Sequence, residues 1–231
     1  MNIAPMLYVA FTELQKASNG MLSGTKIEPI AETINRFAIY SAIAGGAACV
    51  LPGAGGAVAA LTQTGLVWTL YVQINKTLGI EIKDNVMRFI GSAVLTNIAT
   101  NAGTYLISYA AASLLSLIPF LGTAGAVAIG TCTGYIVIYA SAMIYLKLLA
   151  TLMGPDGTIN VDDSEQTKNI IDSVVENSDL KKVFAEGRDM FDSAKKNGEL
   201  DAAQKAPVCP VCGEKIQVGQ KFCSNCGNPL K

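Results

Sequence analysis

Residues 56–65 read GAVAALTQTG, and residues 125–134 read GAVAIGTCTG. Each phrase follows a turn signal that contains Pro and Gly, LPGAGG at 51–56 and IPFLG at 118–122. Pro fixes φ and lacks a backbone donor, whereas Gly tolerates sharp reversals. We therefore expect each phrase to begin the second helix of a helical hairpin. Because the two hairpins align on their prolines, the sequence indicates an internal duplication packed about a pseudo-twofold axis.

The hairpins contain two long segments without Lys, Arg, Asp or Glu, at 37–75 and 89–146. A membrane-spanning helix needs about 20 apolar residues, so each segment is long enough for two. Charged residues make up 15% of the whole chain, compared with about 25% in typical soluble domains. The pattern predicts an all-α fold in which residues 27–150 form a membrane-associated domain. The alternative is a soluble helical bundle whose central helices are apolar on every side.

Small residues in the repeated phrases favour close contact between helices. Gly and Ala four residues apart let backbones approach, as at Gly130 and Gly134 or at Gly56 and Ala60. The full set of expected packing positions is Gly56, Ala60, Gly65, Gly125, Gly130 and Gly134.

The same phrases carry threonines inside apolar helices, and these allow two interpretations. Thr62, Thr64, Thr131 and Thr133 could line a polar path for an ion or a substrate. Threonines also bond to their own helix backbone or to a neighbouring helix. Because no ionisable residue accompanies them, the sequence favours packing over transport.

The positions of the charges predict a topology. Basic residues cluster at the open ends of the hairpins, and such residues favour the cytoplasmic side. They are Arg36, Lys76, Lys83, Arg88 and Lys147. Both termini are therefore expected on the cytoplasmic face of the cell membrane. The aromatic residues near these ends, among them Phe37, Tyr40, Trp68, Tyr71 and Tyr145, are expected at the lipid interface.

The first hairpin helix is expected over about 37–51. Its 15 residues would reach roughly 22 Å, which is short of a hydrocarbon core of about 30 Å. The sequence therefore leaves open whether the hairpins span the bilayer or re-enter it.

The N-terminal segment 1–26 has helical apolar spacing in place of a secretory signal, because it lacks a basic leader and a cleavage site. This helix is expected to lie on the membrane surface or against the bundle. The apolar positions are Ile3, Met6, Leu7, Ala10, Phe11 and Leu14.

Residues 151–206 carry seven basic and twelve acidic side chains, a net charge of −5. Two amphipathic patterns follow the turn signal at 154–157, and Asp179 is placed to cap the second helix. The apolar positions are Ile170, Ile171, Val174 and Val175, then Leu180, Val183, Phe184 and Phe191. The sequence predicts an acidic helical arm, either a spacer or a helical pair that docks on the bundle or on a partner.

Residues 207–231 contain CPVCGEKIQVGQKFCSNCG at 209–227. Cys209, Cys212, Cys223 and Cys226 form two C-x2-C pairs separated by ten residues. Two such pairs can supply four thiolates to one tetrahedral Zn²⁺, and four protein ligands leave no open position for catalysis. The spacing predicts a structural zinc site. Dithiol redox chemistry and paired disulfides are weaker alternatives.

The segment 207–231 resembles the bacterial and archaeal zinc-ribbon family in its CPxCG…FCxxCG form, and all four ligand positions match. The resemblance implies a structural, adaptor-like module of the kind appended to membrane and signalling proteins.

Residues 30–150, with LPGAGGAVAALTQTG and IPFLGTAGAVAIGTCTG, resemble the GTPase-associated hydrophobic domain of unknown function. This resemblance implies membrane association and a separately encoded GTPase partner, without an activity of its own. The chain lacks a G-x-x-x-x-G-K-[ST] phosphate loop and contains no His, which excludes Ser-His and Cys-His nucleophile systems. We therefore expect no enzyme.

Together these features predict a non-enzymatic membrane adaptor or scaffold that presents a cytoplasmic zinc ribbon. Its expected partners are the lipid bilayer, a protein bound through the ribbon or the acidic arm, and a second copy of the chain. The ribbon's three Lys and its single Phe argue against nucleic acid. Two alternatives stay open: a pore lined by the TxTG segments, and a soluble helical assembly protein.

Overall fold

A computed structural model describes residues 3–49, 55–115, 123–154, 158–159 and 164–205, and also residues 209, 216, 220–223 and 229. For residues 55–62, 101–115, 123–124, 164 and 205 it describes the backbone alone.

The described residues form eight α-helices and one short 3₁₀ helix, Gly24–Lys26. In that part of the chain the only β pairings are isolated bridges, Met153 with Ile159 and Phe222 with Pro229. The prediction of a helical fold is therefore confirmed. The helices are α1 Pro5–Ala17, α2 Ile27–Ala48, α3 Gly55–Leu78, α4 Asp84–Leu115, α5 Thr123–Leu152, α6 Ser164–Glu176, α7 Leu180–Lys196 and α8 Glu199–Lys205.

Helix α5 is the centre of the fold. It contacts α1, α2, α3, α4, α6 and α7, and Tyr135, Tyr139 and Tyr145 along its length are almost completely buried. A helix that is apolar all round can be buried by protein on every side. The burial of this helix therefore does not by itself require lipid.

Helix α2 begins ten residues earlier than the sequence suggested. It starts at Ile27, and its 22 residues reach roughly 33 Å. Glu28 and Glu32 lie on the exposed face of the helix, while Ile30 and Ile34 enter the core. The prediction of a 15-residue helix was wrong, because a solvated helical face was taken for the end of the helix.

The expected interfacial aromatics also need correction, because most of them lie in the protein core. Phe37, Tyr71 and Tyr145 are fully buried, and Tyr40 is 9% exposed. The rings of Tyr71 and Tyr145 stack with centroids 3.8 Å apart. The Tyr145 hydroxyl donates to Asn75 Oδ1 at 2.8 Å. The pair of Tyr71 and Tyr145 therefore joins α3 to α5 inside the protein.

The N-terminal helix and the acidic arm pack on the bundle. Helix α1 buries the expected apolar face against α5. Helix α6 contacts α4 and α5, α7 contacts α5, and α8 contacts α2. The buried side chains of α6 and α7 share one hydrophobic core with the hairpin helices. The arm therefore docks on the bundle and is not a free spacer. Asp179 caps α7 by accepting from Lys182 N.

Candidate metal centre

Two of the four expected zinc ligands lie within the described residues. Cys209 is 1% exposed and Cys223 is 3% exposed. They form a small cluster with Ile216 that is separate from the helical core. Cys212 and Cys226 lie outside the described residues. Consequently no group of three metal-binding side chains occurs within the part of the chain that the structure describes.

The chain beside Cys223 is held by local pairing. Gln220 Nε2 donates to the Phe222 carbonyl oxygen at 2.7 Å, and Phe222 pairs in antiparallel fashion with Pro229. The backbone is therefore fixed just before the thiol. The Phe222 side chain is 61% exposed, and Lys221 is also exposed. This surface, Lys221–Phe222, presents an aromatic ring and a cation next to the expected metal site.

The residues present fit zinc. Cys209 and Cys223 are buried in one cluster, so two sulfur donors 14 positions apart in sequence lie in the same place. Thiolates suit Zn²⁺, and a set of four cysteines closes its coordination shell. Zinc would here hold the ribbon together, and its chemistry would be structural.

Among the expected packing glycines, Gly130 and Gly134 lie at the closest contact between α5 and α2. A Cβ added to Gly134 would lie 2.4 Å from the Ser41 carbonyl oxygen. A Cβ added to Gly130 would lie 2.7 Å from the Gly45 carbonyl oxygen. Gly125 is buried. Gly56 and Ala60 lie where the structure describes the backbone alone.

Gly65 is a correction to the predicted packing set. It is exposed, and a Cβ added there would meet no atom of the described residues within 4 Å. Gly65 occupies the same place in its phrase as Gly134 does in the other phrase. Helix α3 therefore makes no close approach at Gly65 comparable to that of α5 at Gly134.

The threonines of the phrases have different surroundings. Thr131 Oγ1 donates to Val127 O of its own helix at 2.7 Å, as packing threonines do. Thr64 is exposed, and Thr133 Oγ1 is buried without a hydrogen-bond partner among the described residues. The Thr62 side chain lies outside the described part. These positions share no common environment that would favour a polar path.

Sequence reasoning missed a polar junction where α1, α5 and α7 meet. The Glu186 carboxylate accepts from Met6 N at 2.9 Å and 3.0 Å, and it also accepts from the Tyr139 hydroxyl. Ala4, the N-cap residue of α1, provides no side-chain cap. Glu186 therefore caps α1 from a distant helix. The sequence feature that could have indicated this contact is Gly187, a glycine within an amphipathic helix. Because it has no side chain, Gly187 lets α7 approach the Tyr139 ring.

Replacing Glu186 by Ala is expected to lower the free energy of unfolding by about 1–3 kcal/mol, the cost of leaving buried or half-buried donors unpaired. Glu186→Gln should lose less, because its amide oxygen still accepts from Met6 N. Thermal unfolding followed by circular dichroism would measure both. Equal stability of Glu186→Ala and the wild-type protein would contradict this role.

One described helix segment is long and apolar enough to cross a membrane, Gly125–Leu152 of α5. Of its most apolar window, 72% is buried inside the protein. The core helix of a soluble protein passes the same test, so this segment is a weak indication of membrane association.

Comparison with known proteins identifies one part of the chain. No curated protein and no solved structure matches it. The likeness of residues 30–150 to the GTPase-associated hydrophobic domain thus remains a resemblance alone. Residues 208–230, in contrast, match the zinc-ribbon domain family, so the chain carries a C-terminal zinc ribbon that contains all four predicted zinc ligands.

Proposed function

We propose that the protein is a non-enzymatic adaptor or scaffold of the cell membrane that presents its zinc ribbon to a protein partner. The observation that supports this proposal is the zinc-ribbon match at 208–230, in a chain that also has charge-free segments at 37–75 and 89–146. Zinc ribbons whose four cysteines close the coordination shell are structural modules. The hairpins would supply the anchor and the ribbon the recognition surface.

The proposed orientation places the open ends of the hairpins and the ribbon in the cytoplasm. Arg88 at the start of α4 lies over the Trp68 ring of α3, 4.7 Å from its centroid. A cation–π pair of this kind is suited to the boundary between apolar and aqueous surroundings. Lys76 and Lys83 lie near the same end of the hairpins, which supports cytoplasmic placement by the positive-inside rule.

The partner would be recognised through the Lys221–Phe222 surface. Exposed aromatic residues are enriched among the side chains that dominate binding energy at protein interfaces. A cation beside the ring favours a partner with an apolar pocket and an acidic rim. By the resemblance of residues 30–150, a separately encoded GTPase is the partner class to test first.

Phe222→Ala is expected to weaken partner binding by about tenfold or more, the loss typical of an interface hot spot. Affinity capture from cross-linked cells, quantified by mass spectrometry, would identify proteins whose recovery falls with this variant. Tyr8→Ala is the matched control, because Tyr8 is equally exposed, at 60%, but lies on α1. An interactome unchanged by Phe222→Ala would contradict recognition through this surface.

A soluble helical assembly is the second candidate, and the burial of α5 favours it. The part of this helix from Cys132 to Leu149 is almost entirely enclosed by protein, so lipid is not needed to cover it. The part before Cys132 is less enclosed, and Ala126 there is exposed. The two candidates therefore differ at the first two turns of α5. The membrane adaptor would place these turns against lipid, whereas the soluble assembly would cover them with protein.

Membrane fractionation with an alkaline carbonate wash separates the two candidates. We expect the protein to stay in the pellet, and we expect Ala126→Glu to shift it towards the supernatant. A carboxylate in the hydrocarbon region costs about 2.5–3.5 kcal/mol. Tyr8→Glu is the control, because Tyr8 is exposed on α1, a charged amphipathic helix that lies outside the two charge-free segments. Release of the wild-type protein as a discrete particle would overturn the anchor and support the soluble assembly.

A further inference from the structure

A cavity of about 410 Å³ opens between α2, α5, α7 and α8. Its floor consists of small or apolar side chains that are partly buried, among them Ile43 on α2 and Val127 and Ala128 on α5. Sites for small molecules usually measure about 300–1,000 Å³ and have mostly apolar linings. The cavity has the size and the lining of a site for an apolar chain.

The wall on the α7 side is held in place by packing. Phe191 lines the cavity and is 3% exposed. Its ring lies edge-on to Tyr135, with centroids 5.7 Å apart, and the Arg188 guanidinium lies 5.8 Å from the ring centroid. Neighbours on two sides therefore hold the Phe191 ring in its place on the cavity wall.

The mouth of the cavity is polar and carries both signs of charge. Lys195 of α7 lines it together with Asp201 and Gln204 of α8, and all three are exposed. In the described part of the chain, ion pairs join Lys182 to Asp179 and Arg188 to Asp192, and neither pair includes Lys195 or Asp201. A cation and an anion therefore lie at one rim, next to an apolar interior.

We propose that this cavity binds an acyl chain of a zwitterionic phospholipid. The chain lies on the floor formed by Ile43, Val127 and Ala128. Lys195 pairs with the phosphate of the head group, Asp201 pairs with its ammonium, and Gln204 supplies an amide to either. This assignment goes beyond the adaptor role and does not depend on insertion of the hairpins, since a lipid can occupy the site in a soluble protein as well.

Three amphiphiles with the same acyl chain test the assignment on the full-length protein. Lysophosphatidylethanolamine carries both charges, lysophosphatidic acid carries phosphate alone, and monoacylglycerol is uncharged. Native mass spectrometry gives a dissociation constant for each, and lysophosphatidylethanolamine is expected to bind most tightly. Ala128→Trp fills the floor and should weaken all three by about tenfold or more. Ala126→Trp, on the same helix but outside the cavity, should weaken none.

Charge substitutions at the rim test the head group without filling the cavity. Exposed ion pairs contribute about 0.2–1 kcal/mol, so Lys195→Gln should weaken the two phosphate-bearing ligands by about threefold and leave monoacylglycerol unchanged. Lys196→Gln is the matched control. Asp201→Asn should weaken lysophosphatidylethanolamine and tighten lysophosphatidic acid, because it removes an ammonium partner and a repulsive charge.

The lipids that copurify with the protein show where the bound lipid comes from. A phospholipid retained by the wild-type protein and lost in Ala128→Trp identifies a lipid taken from the bilayer. Binding of added lysolipid alone identifies a free amphiphile. Equal affinity of the wild-type protein for all three amphiphiles, or wild-type affinity in a folded Ala128→Trp, would overturn the proposal.

Discussion

Cys223→Ser is expected to reduce the zinc content of the purified protein from about one ion per chain to nearly none. Structural zinc sites bind with apparent free energies of about 10–16 kcal/mol, and for small ribbons this binding is itself the folding free energy. The Cys209–Cys223 cluster is separate from the helical core. Residues 207–231 should therefore unfold while the helices persist.

The measurement combines elemental analysis for zinc, far-ultraviolet circular dichroism and limited proteolysis. We expect unchanged helical content and rapid cleavage within 207–231, and a chelator should reproduce both in the wild-type protein. Cys49→Ser is the matched control, because Cys49 carries a free, exposed thiol at the end of α2 and should leave the zinc content unchanged. One zinc per chain in Cys223→Ser, or loss of zinc in Cys49→Ser, would contradict the site of four cysteines.

The zinc ribbon could be predicted from sequence because its determinants are local. Two C-x2-C pairs fix the ligand type, the number of ligands and the closed coordination shell. The helices of the arm were predictable for a similar reason. Their apolar stripes repeat at helical spacing, and Asp179 caps α7 where expected.

The role of α5 could not be predicted from sequence. Apolar residues on every face of a helix are compatible with lipid and with protein neighbours alike, so the pattern alone does not choose between them. The enclosure of α5 arises from α1, α2, α3, α4, α6 and α7 together, and α1 and α2 belong to segments that are distant from α5 in sequence. For the same reason Tyr71 and Tyr145 resembled interfacial aromatics, although each is the other's stacking partner.

The last glycines of the two repeated phrases show that local sequence alone does not predict which helix positions pack closely. Gly65 and Gly134 share a position in the phrase and lie within helices. Within the described part of the chain, Gly134 packs against the backbone of α2 at Ser41, whereas no atom lies within 4 Å of a Cβ added at Gly65. The difference lies in the tertiary neighbour, and a Gly-to-Ala change at each position should therefore have opposite effects on stability.

Gly134→Ala is expected to destabilise the protein. Its Cβ would lie 2.4 Å from Ser41 O and 2.9 Å from Ser41 C, both backbone atoms that cannot move without displacing α2. Overpacking of this kind costs about 1–3 kcal/mol, which exceeds the gain of about 0.5–1 kcal/mol when Ala replaces Gly in a helix. Gly134→Leu should be worse, because the larger side chain must separate the helices further.

Gly65→Ala is the matched control and is expected to stabilise the protein by about 0.5–1 kcal/mol, because the added methyl group meets no described residue and the gain in helix propensity remains. Denaturant unfolding of both variants under identical conditions gives the two free-energy changes. Opposite signs would show that the last glycine of the phrase serves close packing in α5 and not in α3. Stabilisation by Gly134→Ala would mean that α2 and α5 do not touch at this position, and the contact at the centre of the bundle would then be wrong.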